Sequence, residues 1–165
     1  MEGKRDFDHL TQEDKVMISD SWGKVYANAD DIGVPILIRL FATDPSSKQY
    51  FSKFKDIEDL KELEKNPHLK NHARKVLKAI NTMVENINNA EKVTSVFNTL
   101  GNSHALRHKV EPRYFKVLSD VIVTVLGETF TEVMTSAVAQ AWRNFFTAMC
   151  ANFNDVYQEV GWNGN

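Results

Sequence analysis

The chain has 165 residues, a length that fits one domain able to bury about 68–70% of its unfolded surface. Hydrophobic residues make up 42% and charged residues 25%, and the net charge of −2 argues against a nucleic-acid-binding surface, which needs a basic excess. No apolar run approaches the ~20 residues of a membrane span. The single cysteine, Cys150, excludes an intrachain disulfide, so the reducing cytoplasm is the expected compartment.

The first predicted elements are a charged tail and two helices. Residues 1–9 are mostly charged and are predicted to form an N-terminal tail. Thr11 precedes acidic residues, which is typical of a helix N-cap followed by negative charge in the first turn. Apolar residues then recur at helical spacings in the next segment, at Ile36, Leu37, Leu40 and Phe41.

Proline marks the starts of the following helices. Asp44 with Pro45, and Asn66 with Pro67, each place a capping side chain before a proline at the first helical position. Glu111 and Pro112 predict a third such start, and a last helix is predicted to begin near Thr135. The whole pattern predicts an all-α protein of seven or eight helices, without strands.

Two histidines dominate the chemistry. His72 lies on the edge of an apolar helical face, and His104 follows the apolar residues Val96, Phe97 and Leu100. An aromatic segment, PSSKQYFSKF at residues 45–54, lies upstream of both. Two opposed imidazoles and an aromatic wedge suit a flat iron porphyrin held between helices, so a haem pocket is the leading hypothesis. The alternative is that they are ordinary core or rim histidines, which is how we interpret His9 and His68.

The two histidines have different expected roles. An iron-bound imidazole must be neutral, with its other ring nitrogen donating a hydrogen bond. For His104, the carbonyl of Leu100 and the hydroxyl of Ser103 are both possible acceptors. His72 either ligates the iron itself, giving a six-coordinate bis-histidine site, or donates a hydrogen bond to a bound gas. The sequence leaves this choice open.

The sequence gives little support for other metal sites or for other kinds of catalytic site. HExxH and Glu-x-x-His motifs are missing, and one cysteine cannot build a thiolate zinc site. Cys150 follows Met149 on a helix that is predicted to be buried, which favours an inert thiol. The glycines are scattered and form no phosphate-binding loop, so any electron must come from an external donor.

Several motifs in order resemble the vertebrate globin family, and within it the cytoglobin branch. They are KQYFSKFKDIED, NHARKV, SHALRHKVEPRYFK and the ending YQEVGW. The resemblance covers about residues 10–162. It implies a globin fold packed around a haem pocket, with a globin domain at residues 10–160 between the N-terminal tail and a C-terminal tail at residues 161–165.

The resemblance also implies the site residues. His104 resembles the proximal haem ligand, and His72 resembles the distal histidine, which in this branch can bind the iron itself and would take the catalytic role. Lys75 and His108 resemble residues that face the haem propionates. The implied cofactor contacts are Leu37, Phe51, Phe54, Lys75, Val76, Leu100, His108, Val110, Phe115 and Leu118. The alternative for the apolar members is plain core, and for Lys75 a solvated lysine.

A cytoglobin-like globin is expected to hold haem b and to bind O2, NO and CO, with nitrite as a further ligand. The resemblance implies six-coordinate iron and either nitric oxide dioxygenation or nitrite reduction, supported by an external reductase. The alternatives are reversible oxygen storage, supply or sensing without turnover, and a helical interaction domain without haem. We expect a monomer or weak homodimer. Mammalian cytoglobins carry two cysteines where this chain has Ala29 and Arg74, so an internal disulfide switch is not expected.

Overall fold

The computed structural model describes residues 5–162, which fold into helices joined by short connections. The α-helices in this range are α1 (Gln12–Tyr26), α2 (Ala29–Thr43), α3 (Leu60–Lys65), α4 (Pro67–Glu85), α5 (Ala90–Asn102), α6 (Arg113–Thr129) and α7 (Ser136–Glu159). A 3₁₀ helix, Pro45–Tyr50, follows α2, and a π-helical turn, Ser103–Arg107, continues α5. The prediction of an all-α protein with seven or eight helices is confirmed, and the described residues contain no strand.

The helix starts follow the local capping chemistry. The Thr11 hydroxyl accepts a hydrogen bond from the Asp14 amide at 3.0 Å, and the Asp14 carboxylate accepts one from the Thr11 amide, which is a capping box. The Asn66 side chain caps α4 by accepting hydrogen bonds from the first turn. Asp44 and Thr135 cap the 3₁₀ helix and α7 in the same way. These short-range hydrogen bonds explain why the starts predicted at Thr11, Asp44, Asn66 and Thr135 are confirmed. The α6 helix begins at Arg113, one residue after Pro112, and its start has no side-chain capping hydrogen bond.

The helices that carry the two histidines are held by close packing. α4 packs on α2, and α5 packs on α7, which also contacts α1 and α6. Gly33 of α2 lies so near α4 that an added Cβ would be 2.9 Å from the Cβ of Ala73. Gly101 of α5 is tighter still, because an added Cβ would be 2.7 Å from a Val156 methyl of α7. The absence of a side chain at Gly33 and Gly101 therefore determines how closely the two helices approach each other at each contact.

The N-terminal segment differs from the predicted tail. Phe7 is fully buried, with its ring stacked on Phe145 at 4.5 Å and tilted against Phe97 at 5.6 Å. Arg5 is buried as well and forms an ion pair with Glu159. The packed region thus includes Arg5 and Phe7 of the predicted tail, because Phe7 packs on aromatic rings of α5 and α7, whereas Asp8 and His9 are exposed. Residues 1–4 and 163–165 of the predicted tails lie outside the described residues.

The C-terminal end is also packed. Trp162 lies against the ring of Tyr157 at 5.3 Å between ring centres, so the described part of the predicted C-terminal tail contacts α7. Among the helices of residues 5–162, none is long and apolar enough to cross a membrane.

Candidate functional site

The distal side of the site is an aromatic corner packed against His72. His72 lies on α4, and the ring of Phe51 meets its imidazole edge-on at 4.7 Å between ring centres. Phe51 in turn stacks on Phe54 at 5.0 Å and contacts the edge of Phe41 at 5.4 Å. The 3₁₀ helix that follows α2 positions Phe51 and Phe54, because it turns the chain directly before Phe51. The predicted aromatic wedge therefore lies beside His72.

The proximal side is built around His104, which lies in the π-helical turn at the end of α5. Its Nδ1 is 2.7 Å from the carbonyl oxygen of Leu100. A carbonyl only accepts hydrogen bonds, so Nδ1 carries the proton and Nε2 keeps a free lone pair. Of the two predicted acceptors, the Leu100 carbonyl is therefore the one used. The His104 ring also lies 5.3 Å from Phe115 and 5.9 Å from His108.

Both imidazoles are held in the neutral form. Burial is the main cause that lowers the pKa of His72 to about 4, and electrostatic repulsion from His104, Lys75 and His108 contributes to the same shift. Burial also lowers the pKa of His104, although its hydrogen bond to Leu100 opposes this shift. Neutral imidazole is the form that ligates a metal.

The number of metal-ligating side chains indicates which kind of metal group fits the site. Within residues 5–162, no group of three or more histidine, cysteine or acidic side chains is arranged to hold a metal ion. A bare ion would therefore find too few protein ligands at this site. Two neutral imidazoles suit a metal whose equatorial positions are already filled by a macrocycle, leaving only axial positions for the protein. The residues present fit a haem.

The other predicted contacts surround the histidines to different degrees. Val110 is bonded to the proximal turn, since its amide donates to the His104 carbonyl at 2.8 Å. Lys75 and His108 are exposed, and Lys75 lines an open cleft of about 380 Å³ between α4 and α5, together with Leu100. Of the remaining predicted contacts, Leu37 is buried in the apolar core, and Val76 and Leu118 are partly buried and pack against it.

Two tyrosines near the site were missed as functional residues. The Tyr157 hydroxyl donates to the Val110 carbonyl at 2.7 Å, and burial raises the pKa of this phenol. The Tyr50 hydroxyl accepts a hydrogen bond from the Glu111 amide at 3.3 Å. The sequence signal was weak, because a tyrosine in an apolar pattern resembles any other core aromatic. Each contact becomes visible only in the folded structure, where the hydroxyl meets a backbone group that is far away along the chain.

Cys150 agrees with the interpretation of an inert thiol. It is half-buried, and its Sγ lies 3.7 Å from the Ser119 hydroxyl. Burial raises the pKa of the thiol, which keeps it protonated and unreactive near neutral pH.

Comparisons with known proteins identify the family to which the chain belongs. Residues 34–153 match the family model described as Globin. The chain is 58% identical over 153 residues to Cytoglobin-1 of Oryzias latipes, covering 93% of this chain and 86% of the relative. It is 47% identical over 161 residues to Cytoglobin-2 of Danio rerio, covering 98% and 90%. Globin-1 of Petromyzon marinus is 34% identical over 139 residues, covering 83% and 93%.

The chain therefore belongs to the globin family, the class of haem proteins that bind gaseous ligands such as O2. Within this family it is a vertebrate globin that resembles the cytoglobins. The predicted fold and the predicted family are both confirmed.

Proposed function

We propose that this globin holds haem b with His104 as the proximal ligand and with His72 as an internal ligand on the opposite side. The observation that carries the proposal is the hydrogen bond from His104 Nδ1 to the Leu100 carbonyl at 2.7 Å. It leaves Nε2 as the only nitrogen of that ring free for a metal. The neutral, half-buried His72 supplies the second imidazole.

Haem b would supply an iron that binds O2, NO, CO or nitrite and changes between ferrous and ferric states. The side chains proposed to contact it are Leu37, Phe51, Phe54, Val76, Leu100, Val110, Phe115 and Leu118. The exposed Lys75 and His108 carry donors suited to the two propionates. Burial of Leu37, Phe54 and Phe115 supports an apolar pocket that excludes water.

His72 would regulate access to the sixth position. When an internal ligand competes with gas, only the open fraction binds, and the apparent affinity falls by that fraction. Closure favoured by ~1.4 kcal/mol leaves about one molecule in ten open and weakens gas binding about tenfold. The edge contact of Phe51 at 4.7 Å restricts where the His72 ring can move, so the aromatic corner would help to set this equilibrium.

The proposed activity is nitric oxide dioxygenation, in which nitric oxide, dioxygen and one electron yield nitrate. Nitrite reduction at low oxygen is the related redox activity. His72 would act by leaving the sixth position for the gas and returning to it afterwards. Each turnover consumes an electron, and the sequence contains no dinucleotide-binding loop, so an external reductase must restore the ferrous state. We propose that this takes place in the cytoplasm, on a monomer or weak homodimer.

The absorption spectrum of the ferrous protein without added ligand tests the internal ligation. We expect a low-spin six-coordinate spectrum that becomes five-coordinate in His72→Ala. His68→Ala is the matched control, because His68 lies one turn earlier on the same helix and is exposed. A high-spin spectrum of the unmodified chain would refute internal ligation. Loss of haem in His104→Ala tests the proximal ligand.

The activity needs a separate experiment. Nitric oxide consumption is measured with a reductase and NADH present, beside the rate at which that reductase reduces the ferric protein. We expect sustained nitrate formation limited by the reduction step. Reduction too slow to sustain turnover would favour reversible oxygen storage, supply or sensing instead.

A further inference from the structure

The proximal histidine is tied by its backbone to the segment that precedes α6. We call residues 110–114 the linker segment. The Val110 amide donates to the carbonyl oxygen of His104 at 2.8 Å, and the Val110 carbonyl accepts from the Tyr157 hydroxyl at 2.7 Å. Lys109, directly before the linker segment, has φ of 54°, a left-handed conformation that a lysine seldom adopts. Such a conformation costs free energy and persists where the surrounding structure holds it, as the two hydrogen bonds of Val110 do here.

The same linker segment is tied to the distal corner, residues 44–54. The Glu111 amide donates to the Tyr50 hydroxyl at 3.3 Å, and the Tyr50 ring lies edge-on to Tyr114 at 5.3 Å. The Tyr114 hydroxyl is 2.6 Å from the Ser46 hydroxyl. Arg113 completes the contact with an ion pair of 2.9 Å to the carboxylate of Asp44. Gln49 Nε2 also donates to the Tyr114 hydroxyl at 3.5 Å, so the distal corner is joined to the linker segment by four side chains of its own.

Tyr50 has a special place among these bonds because the next residue is Phe51, the ring that touches His72. The Tyr50 phenol is partly buried, and burial raises its pKa, so it stays neutral over the physiological range. A hydroxyl that is fixed at the linker segment therefore fixes the backbone from which Phe51 projects. Through Val110 the linker segment also fixes His104. The backbone of the linker segment is therefore hydrogen-bonded to residues on both sides of the site.

We propose that Tyr50 is a positioning residue that holds Phe51 against His72 and so restrains the movement of His72 away from the iron. This inference rests on the proposed function, because it assumes that His72 ligates a haem iron. Tyr50 itself touches neither the gas nor the cofactor in this proposal. It acts through the hydrogen bond to Glu111 and through its neighbour in the chain.

Tyr50→Phe is the direct test, since it removes one hydroxyl and keeps the ring contact with Tyr114. The measurement is carbon monoxide rebinding after flash photolysis of the haem-loaded protein, which gives the rate at which His72 leaves the iron. Loss of one hydrogen bond is expected to raise this rate about two- to tenfold. Hydrogen exchange of the Glu111 amide, which does not depend on iron ligation, is expected to accelerate as well. Tyr26→Phe is the control, because the Tyr26 ring stacks on Trp22 at 5.4 Å, within α1.

A His72 release rate equal to that of the parent would overturn the proposal, even if Tyr50→Phe unfolds at a lower denaturant concentration. That combination is what a merely structural tyrosine would give. Ser46→Ala removes the hydrogen bond between the Ser46 and Tyr114 hydroxyls in the same corner and is expected to change the release rate in the same direction. It replaces Tyr50→Phe as the test variant if Tyr50→Phe binds hemin poorly.

A five-coordinate parent protein would refute the proposed internal ligation, and the dissociation rate of oxygen, which a distal histidine also governs, would then report on Tyr50. In that case an oxygen dissociation rate unchanged by Tyr50→Phe would overturn the positioning role. Faster exchange of the Glu111 amide together with a changed oxygen rate would support it. The failure of the proposed function and the failure of this inference thus give different results.

Discussion

Gly101→Ala tests whether the contact between α5 and α7 sets the position of the proximal helix. A Cβ at Gly101 would lie 2.7, 2.9 and 3.3 Å from the three side-chain carbons of Val156. Val156 is buried and β-branched, so its side chain has little freedom to move aside. The two helices must therefore separate or strain.

The size of the effect follows from comparison with Gly23→Ala. A Cβ at Gly23, also inside a helix, would meet nothing within 4 Å. Both substitutions gain about 1 kcal/mol of helix propensity, so this gain cancels in their difference. What remains is the overpacking cost, about 1–3 kcal/mol. We expect Gly23→Ala to stabilise the protein and Gly101→Ala to be less stable than Gly23→Ala by this amount.

The assay is unfolding in guanidinium chloride, followed by far-UV circular dichroism at one fixed hemin concentration, because a ligand of the folded state adds to the stability. The double variant Gly101→Ala/Val156→Ala removes two of the three close approaches. It is expected to show a coupling of about 1 kcal/mol in a double-mutant cycle. Equal stability of Gly101→Ala and Gly23→Ala would refute the reasoning, since it would mean that α5 and α7 accommodate the methyl without cost.

Three further predictions concern other parts of the molecule. Phe7→Ala is expected to cost about 3–5 kcal/mol of unfolding free energy, measured by the same denaturation, whereas a solvated tail would give almost no change. Tyr157→Phe is expected to cost about 1 kcal/mol and to speed amide exchange at Val110; an unchanged stability would contradict the hydrogen bond between them. Cys150 is expected to react with iodoacetamide several-fold more slowly in the folded chain than in urea, and equal rates would argue against its burial.

Much of the fold was predictable because its signals are local. The capping side chains of Thr11 and Asn66 bond to amides two or three residues away, and an adjacent proline or acidic residue marks them in the sequence. The Leu100 carbonyl was also a predictable partner of His104, since it lies one helical turn earlier. Interactions that close within one turn depend little on the rest of the chain.

The N-terminal boundary was not predictable in this way. Residues 1–9 are mostly charged, and a lone phenylalanine among charges gives no periodic pattern. Phe7 is buried because α5 and α7 present Phe97 and Phe145 to it, and these residues are far away along the chain. Burial of an isolated aromatic depends on what the folded chain places beside it, and the local sequence does not contain that information.

The chain on its own specifies helices, their starting points and a pair of histidines suited to an iron porphyrin, since capping and periodicity act over a few residues. Long-range packing decides that Phe51 meets His72 and that the hydroxyls of Tyr50 and Tyr157 reach the linker segment. These contacts join residues about 20 to 60 positions apart, and such distances become short only when helices pack with their apolar faces together. The local sequence therefore indicates which residues form the site, whereas the packing of the folded core determines how they are arranged.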